Sequence, residues 1–277
     1  MYIEVILLNR VILGLAMQNQ LARKWCAAGI KSGDMVLLHS NITRTMRYCR
    51  RAEKTFSVQQ LLQSFLQAIG PNGTLILPLF NFDFTKGVPF DYKETPSQMG
   101  RLTEVARAYP GAVRSGHPIY SFAGIGHQAP VLSQINNYSG YGKDSVFSLL
   151  HQQNGKIAIL DLEDQNSMTF YHYVEEMHDV DYRYHKAFSG EYIDAQGHHS
   201  ERKYGLFVRD LEQGVHTDVN RMGALLWRDG YYCGEQPGKN CGLRTVAAAV
   251  VYDKVADVIQ SGRAIDFLYS IKKGVTK

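Results

Sequence analysis

Short apolar runs bounded by turn residues constrain the fold of this chain more than any other feature. Three of them cover residues 35–38, 74–80 and 157–160, and each has the length of a strand rather than of a helix. Runs of this kind suit strands that are buried on both faces, as in a mostly parallel sheet covered by helices. Helical patterns alternate with them, which predicts an α/β fold with three α/β/α layers.

Residues 58–69 give the clearest helical pattern. Apolar side chains recur at helical spacing on one face, at Val58, Leu61, Leu62, Phe65, Leu66 and Ile69. Ser57 and Gln60 have the spacing of a capping box, and the segment GPNG at residues 70–73 would end the helix. The sequence therefore predicts a capped amphipathic helix between the first two strands.

Three further elements complete the predicted fold. Residues 18–28 and 245–259 have helical patterns, and residues 203–208 are predicted to form a strand of an antiparallel extension to the sheet. No linker rich in Pro, Gly or Ser divides these elements. A single domain is therefore expected.

Composition argues against several classes of protein. The net charge of +4 is small and dispersed over 277 residues, which does not indicate a nucleic-acid-binding protein. No apolar stretch of about 20 residues is present, so no membrane span is predicted. The four cysteines form no CxxC pair, which excludes zinc-ribbon and thioredoxin-like proteins and favours reduced thiols in the cytoplasm.

Common cofactor and nucleophile motifs are absent from the sequence. It contains no GxGxxG at the start of a helix, no GxxxxGK[ST] and no HExxH. The residues around Ser115 read RSGHP, which is not the nucleophile elbow of a hydrolase. Neither a metal site nor a covalent enzyme intermediate is predicted, and an amide hydrolase is disfavoured.

Polar residues follow two of the predicted strands. The segment HSN at residues 39–41 comes directly after residues 35–38, and His172 lies in the segment that follows residues 157–160. In α/β folds the active groups tend to lie just beyond the carboxyl ends of strands. Histidine is the natural general base near pH 7, and Glu175 follows His172 by one helical turn. His172 is therefore the first candidate for a base, and a purely structural helix histidine is the alternative.

Six short segments form a recognisable series along the chain. They are residues 33–40 (GDMVLLHS), 73–78 (GTLILP), 90–100 (FD followed by TPSQMG), 113–123 (VRSGHPIYSFA), 141–145 (YGKDS) and 169–175 (TFYHYVE). Taken in this order, they resemble the motifs of the aminoglycoside 3-N-acetyltransferase family. The likeness extends over roughly residues 17–265. It implies an enzyme that transfers an acetyl or other short acyl group directly from acyl-CoA to an amine, in a ternary complex.

The resemblance assigns roles in catalysis. It makes His172 the catalytic base, oriented by an acid that the family places on a later strand. Asp210 fits that position best, with Glu175 and Asp218 as rivals. The sequence departs from the family at Asn41, where a second small hydroxyl residue is usual, and in the longer segment before His172.

The resemblance also assigns the binding residues and the domain boundary. Those expected to bind acyl-CoA are His39, Ser40, Asn41, Arg114, Ser115, His117, Ser121 and Phe122. Independently of the resemblance, Tyr182, Arg183 and Tyr184 are expected to line a sugar pocket, because aromatic side chains stack on sugar faces, and packing is the alternative. The family's first helix would start near Met17, so residues 1–16 are expected to be an N-terminal extension to an acyltransferase domain at residues 17–277.

The identity of the acceptor rests on charge. A cluster of arginines suits phosphate groups, and its members are Arg44, Arg47, Arg50 and Arg51. Together with the net positive charge, it favours an amino sugar carried on a nucleotide diphosphate, as made for bacterial surface polysaccharides. An aminoglycoside acceptor, with antibiotic resistance as the outcome, is the alternative. A non-catalytic nucleotide- or phosphate-binding protein on the same fold ranks lower, and the sequence does not distinguish a monomer from a homo-oligomer.

Overall fold

The computed structural model describes residues 2–236 and 242–272. Twelve strands lie in these ranges: β1 (Met35–Ser40), β2 (Thr74–Pro78), β3 (Phe90–Asp91), β4 (Val113–Arg114), β5 (Phe122–Gly126), β6 (Lys156–Leu160), β7 (Arg183–Ile193), β8 (His199–Arg209), β9 (Val215–Thr217), β10 (Cys233–Gly234), β11 (Leu243–Ala247) and β12 (Tyr269–Ile271). The ten α-helices of the same ranges are α1 (Tyr2–Ala27), α2 (Thr43–Ala52), α3 (Val58–Ile69), α4 (Arg101–Arg107), α5 (Ala129–Leu132), α6 (Val146–Gln152), α7 (Phe170–Met177), α8 (Asn220–Arg228), α9 (Ala248–Gln260) and α10 (Ala264–Phe267).

A seven-stranded sheet in the order β10-β11-β6-β1-β2-β5-β4 forms the centre of the molecule. Its middle strands β6, β1 and β2 are parallel, and antiparallel strands extend it on both sides. The three apolar runs that predicted strands supply these three middle strands. The predicted α/β fold is therefore confirmed, with β2 ending at Pro78 rather than at residue 80.

Helices cover both faces of this sheet. Val36 and Leu38 of β1 join a core with α1 and α3, whereas Leu37 faces the opposite core with α6, α7 and α9. Alternate residues of a strand point to opposite faces, so a wholly apolar strand needs a helical layer on each side. The three-layer prediction follows from this pattern and is confirmed.

Smaller sheets lie beside the central one. Strands β3, β7 and β8 form a three-stranded sheet, and β9 pairs with β12. The predicted strand at residues 203–208 lies within β8, which is confirmed as part of an antiparallel hairpin with β7. This β7–β8 hairpin contributes residues to the candidate site described below.

Helix α3 has the predicted capping box. Ser57 Oγ accepts a hydrogen bond from the Gln60 amide at 3.2 Å, and Gln60 Oε1 accepts one from the Ser57 amide at 2.9 Å. The buried face of α3 packs on α1, where Trp25 stacks on Phe65 with 4.7 Å between ring centroids. Local capping and tertiary packing thus stabilise the same helix.

Replacing Ser57 with Ala is expected to lower the free energy of unfolding by about 0.5–2 kcal/mol, because an N-terminal amide of α3 loses its acceptor. Urea denaturation followed by circular dichroism measures the change. Ser57→Asp is the control, since aspartate also caps helices. An alanine variant as stable as the native protein would contradict a stabilising role for the cap.

Two boundaries differ from the sequence-based expectation. The predicted helix at residues 245–259 begins only at Ala248, because Leu243–Ala247 forms β11 and pairs with β6. The β-branched Thr245 and Val246 suit a strand at that position. At the other end, α1 continues without a break through Met17, so the expected boundary after residue 16 falls inside one helix. The division into extension and domain stays a prediction.

Among the residues that the structure describes, no helix combines the length and apolar character needed to cross a membrane.

Candidate active site

His172 lies in the first turn of α7, beyond the carboxyl end of β6. Its side chain is 17% exposed, and its Nδ1 atom lies 2.7 Å from Oε2 of Glu175. Side chains three positions apart on a helix are neighbours, so α7 alone brings the two groups together. This arrangement leaves Nε2 without a hydrogen-bonding partner among the described residues.

Arg183, the first residue of β7, completes a buried cluster with this pair. Its Nε atom lies 2.8 Å from Oε2 of Glu175, and its Nη2 atom lies 2.8 Å from Nδ1 of His172. Its Nη1 atom donates to the Phe207 carbonyl at 2.9 Å. The Glu175 side chain is only 1% exposed, so Arg183 supplies the positive charge that a buried carboxylate requires.

Burial and charge set the protonation of the pair. Burial, with a further contribution from Arg183, lowers the pKa of His172 despite the carboxylate of Glu175. Burial alone would raise the pKa of Glu175, but Arg183 and His172 outweigh it and hold that pKa below its usual value. The pair therefore consists of a neutral imidazole and a carboxylate at neutral pH, which is the state that a general base needs.

A cavity of about 320 Å³ opens beside the His172 ring. Aromatic and basic side chains line it, among them Tyr120, Tyr141, Tyr184, Lys186 and Arg209. The Tyr141 ring meets the His172 ring edge-on with 5.4 Å between centroids, and Tyr120 packs on Tyr141 at 4.8 Å. Among the described lining residues none is acidic. We call this space the histidine cavity.

A second cavity, of about 470 Å³, lies at the carboxyl ends of β1 and β2. The predicted cofactor residues His39, Ser40 and Asn41 all line it, together with the start of α2. His39 is buried, and burial lowers its pKa to about 4, so its imidazole is neutral at pH 7. We call this space the strand-end cavity. It is large enough for part of an elongated thioester co-substrate.

Aromatic rings connect the two cavities. The Phe80 ring lies 6.3 Å from the His39 ring and 4.4 Å from the Tyr120 ring, measured between centroids. Tyr120 in turn contacts Tyr141, which contacts His172. A continuous series of packed rings, which includes the buried Phe80, therefore lies between the two cavities.

Comparison with known protein families shows which family this chain matches. The model of the aminoglycoside 3-N-acetyltransferase family matches residues 37–259. The chain belongs to this family. The resemblance inferred from the six sequence segments is confirmed.

Individual relatives agree with the family assignment. Aminoglycoside N(3)-acetyltransferase IX of Micromonospora chalcea is 26% identical over 175 residues, which cover 55% of this chain and 59% of that protein. Aminoglycoside N(3)-acetyltransferase VII of Streptomyces paromomycinus is 26% identical over 219 residues, covering 69% of this chain and 73% of that protein. The first match thus spans less than two thirds of the relative.

A solved structure shares the fold of this chain. It is that of AAC-IIIb in a binary complex with CoASH, with a TM-score of 0.74 and 19% sequence identity. The superposition covers 88% of this chain and 96% of that chain.

Within this family framework, the structure corrects the predicted partner of His172. Asp210 does not contact His172, because its carboxylate accepts hydrogen bonds from the amides of Glu212 at 3.0 Å and Gln213 at 3.1 Å. Asp218, a rival assignment, lies 3.2 Å from Arg221. Glu175, the other rival, occupies the position at Nδ1.

The family segment at residues 113–123 is buried, and most of its polar atoms have partners within the protein. Arg114 donates to the Tyr92 and Thr95 carbonyls and to Ser121, Ser115 accepts from the Phe122 amide, and His117 Nδ1 accepts from the Ile119 and Tyr120 amides. Burial lowers the pKa of His117 to about 4. The side chains of Arg114, Ser115, His117, Ser121 and Phe122 are all buried, and their assignment to acyl-CoA binding stays a prediction. They hold the loop that presents Tyr120.

The three residues predicted to bind sugar separate into two groups. Tyr182 is buried and stacks on Tyr269 with 4.0 Å between centroids, and Arg183 is buried against Glu175. Tyr182 does not line the histidine cavity, whereas Arg183, although buried, does. The assignment of both residues to sugar binding stays a prediction. Tyr184 is 46% exposed and lines the histidine cavity, as a sugar-binding residue would.

The arginine cluster lies on the exposed face of α2, which starts at the strand-end cavity. Arg44, Arg47, Arg50 and Arg51 are exposed, and Arg50 Nε donates to the Phe56 carbonyl at 3.1 Å. None of the four arginines lines the strand-end cavity or the histidine cavity, although α2 itself starts at the strand-end cavity. Within the described ranges, no three His, Cys, Asp or Glu side chains are grouped to hold a metal ion.

A buried polar network beneath α7 was not predicted from the sequence. Asp164 accepts hydrogen bonds from the Tyr171 hydroxyl at 2.6 Å and the Tyr232 hydroxyl at 2.8 Å, and it pairs with Arg244 at 2.7 Å. Tyr171 directly precedes His172 in α7. The network thus anchors the turn that carries His172, and we call it the Asp164 network.

Proposed function

We propose that this chain is an acyl-CoA-dependent N-acetyltransferase that acts on an amine of an amino sugar. One observation carries the proposal, namely that the His172–Glu175 pair lies beside a cavity joined by aromatic rings to a second cavity at the strand ends. Membership of the aminoglycoside 3-N-acetyltransferase family supports it. A non-catalytic binding protein would have no need of a histidine and a buried carboxylate paired in this way.

The proposed reaction is a direct transfer. Nε2 of His172 removes a proton from the acceptor amine as the nitrogen attacks the thioester carbonyl carbon. The new C–N bond forms, the C–S bond breaks and the CoA thiol leaves with a proton. Glu175 orients the ring and stabilises the imidazolium that forms during transfer, as the acid of a catalytic triad does. Because acetyl-CoA is a cytoplasmic metabolite, the cytoplasm is the compartment where this activity would operate.

We take an aminoglycoside as the first candidate acceptor. The curated relatives are named for acetylation of aminoglycosides at N(3), and an aminoglycoside presents several amines on sugar-like rings. Tyr184, exposed in the histidine cavity, would offer an aromatic face to such a ring. This candidate replaces the nucleotide-linked amino sugar as the leading one.

One observation favours the nucleotide-linked amino sugar as a second candidate. Lys186 and Arg209 line the histidine cavity, and no acidic residue is among its described lining residues. A polycationic acceptor would be repelled by such a lining, whereas phosphate groups would be attracted. The nearby carboxylate of Glu175 is already balanced by Arg183.

Steady-state kinetics with both acceptor classes separates these candidates. We expect thiol release from acetyl-CoA with a kanamycin- or gentamicin-type acceptor at a kcat/KM of about 10⁴ M⁻¹s⁻¹ or more, the low end of ordinary enzyme efficiency. Turnover of a nucleotide-linked amino sugar without turnover of any aminoglycoside would establish the second candidate instead.

Salt dependence gives an independent check on the acceptor. Raising the ionic strength screens charges in the cavity, so kcat/KM should fall for an anionic acceptor and rise for a polycationic one. A neutral amine of similar size serves as the control for general effects of salt.

A further inference from the structure

We propose that Arg183 is a positioning residue that balances the buried charge of Glu175, so that His172 does not have to carry a proton at neutral pH. The inference rests on the proposed role of His172 as a base. It gives Arg183 a function other than the sugar binding that the sequence suggested.

A histidine beside a buried carboxylate faces a conflict. An opposite charge within about 4–6 Å favours the charged form of a group, so a buried Glu175 on its own would draw a proton onto His172. A protonated imidazole pairs well with a carboxylate but cannot accept a proton from an amine. The pair therefore needs a second cation if it is to supply a base near pH 7.

The contacts of Arg183 meet this need. The guanidinium contacts the same carboxylate oxygen as His172, at 2.8 Å, and its side chain is only 5% exposed. Water therefore screens the interaction weakly, since buried pairs are screened much less than exposed ones. The hydrogen bond from Nη1 to the Phe207 carbonyl fixes the guanidinium to β8.

Arg183 also opposes protonation of His172 directly. Its Nη2 atom lies 2.8 Å from Nδ1 of His172, so the positive charge of the guanidinium is close to the ring. Full protonation of the ring would place an imidazolium against this guanidinium. Burial and Arg183 are the two leading causes of the lowered pKa of His172, and Glu175 acts in the opposite sense.

Other groups near His172 do not replace this contribution. Four other titratable or charged side chains lie around the cluster of His172, Glu175 and Arg183. They are Tyr141 before α6, Glu176 on α7, Tyr182 before β7 and Arg209 on β8. Glu176 accepts a hydrogen bond from Ser139 at 2.7 Å, and burial raises the pKa of both tyrosines, which keeps them uncharged. Arg209 is exposed, so solvent screens its charge.

The test is a pH titration of His172 in the ligand-free protein, monitored by NMR of ¹⁵N-labelled histidine. A His172→Gln variant identifies the signals of His172. In the native protein we expect a neutral ring at pH 7 with the proton on Nδ1. In Arg183→Met the midpoint should rise by about 1–3 pH units, the usual effect of one nearby charge. The acid limb of kcat/KM should move upward by the same amount.

Three further variants distinguish a charge effect from a packing effect. Arg183→Lys keeps the charge and should restore most of the native midpoint. Glu175→Gln/Arg183→Met removes both charges and should bring the midpoint back below that of Arg183→Met. Arg209→Met, which removes an exposed arginine, should move the midpoint by less than about 0.5 units, because exposed charges are screened.

Two results would overturn the inference. One is a native His172 that is an imidazolium at pH 7, which can be measured even if Arg183→Met fails to fold. The other is a folded Arg183→Met with an unchanged midpoint. The titration needs no substrate, so its outcome is separate from that of the proposed function. If the protein acetylated no amine, the proposed activity would be wrong, but the result of the titration would still hold.

Discussion

Replacing His172 with Ala lowers kcat/KM for acyl transfer by an expected ~10²–10⁴-fold, the usual contribution of a general base. The physical reason is that the protonated amine is not a nucleophile and His172 is the group placed to remove its proton. Acyl-CoA should still bind with near-native affinity, because the strand-end cavity does not include His172. Thiol release measures the rate, and calorimetry measures the binding.

The exposed His127 provides a matched control. His127→Ala also removes one imidazole, but from the surface and outside both cavities, so its kcat/KM should equal the native value. A His172→Ala enzyme that keeps near-native turnover at neutral pH would show that another group acts as base. Loss of acyl-CoA binding in the same variant would point to a structural defect instead.

Replacing Arg244 with Met is expected to lower the free energy of unfolding by about 3–5 kcal/mol, the typical result of removing one partner from a buried ion pair. Arg244 and Asp164 have side chains only 1% and 5% exposed, with 2.7 Å between Nη2 and Oδ1. The methionine variant leaves the Asp164 carboxylate in the interior with only two tyrosine hydroxyls. Urea denaturation with two spectroscopic probes measures the loss and checks that unfolding is two-state.

The exposed pair of Arg228 and Asp229 is the control for this variant. It has a similar separation, 2.8 Å, but the Arg228 side chain is 71% exposed. Arg228→Met should therefore change stability by less than about 1 kcal/mol, as surface pairs generally do. Equal effects of the two methionine variants would mean that burial does not strengthen the Asp164 network.

Short sequence patterns predicted the strands and helices whose formation depends on residues close together in the sequence. The apolar runs of β1, β2 and β6 need burial on both faces, so they indicated the three-layer architecture before any contact was known. Ser57 and Gln60 lie close in sequence and predicted the start of α3. His172 could be predicted because it follows a buried strand and lies one turn before Glu175.

Long-range contacts explain what the sequence did not reveal. Asp164 and Arg244 are 80 positions apart, and no local signal joins them. The family resemblance places the acid on a later strand, which indicates Asp210, but a turn of its own satisfies that carboxylate.

The burial of the segment at residues 113–123 has a similar explanation. The family resemblance implied that its Arg, Ser and His residues contact acyl-CoA. Polar side chains are costly to bury without partners. The structure provides those partners from backbone groups of the same loop and its neighbours. Tyr120, which lies between His117 and Ser121, had no distinguishing signal of its own.

His172 and Glu175 occupy a single turn of a helix of only eight residues. Their separation is therefore an internal dimension of α7, and a displacement of the whole helix would carry both groups together without altering the pair. Arg183 belongs to a different element, the β7–β8 hairpin. For the proposed base, a movement between α7 and this hairpin would change the distance to the Arg183 charge, and with it the pKa of His172, while the contact with Glu175 stayed the same.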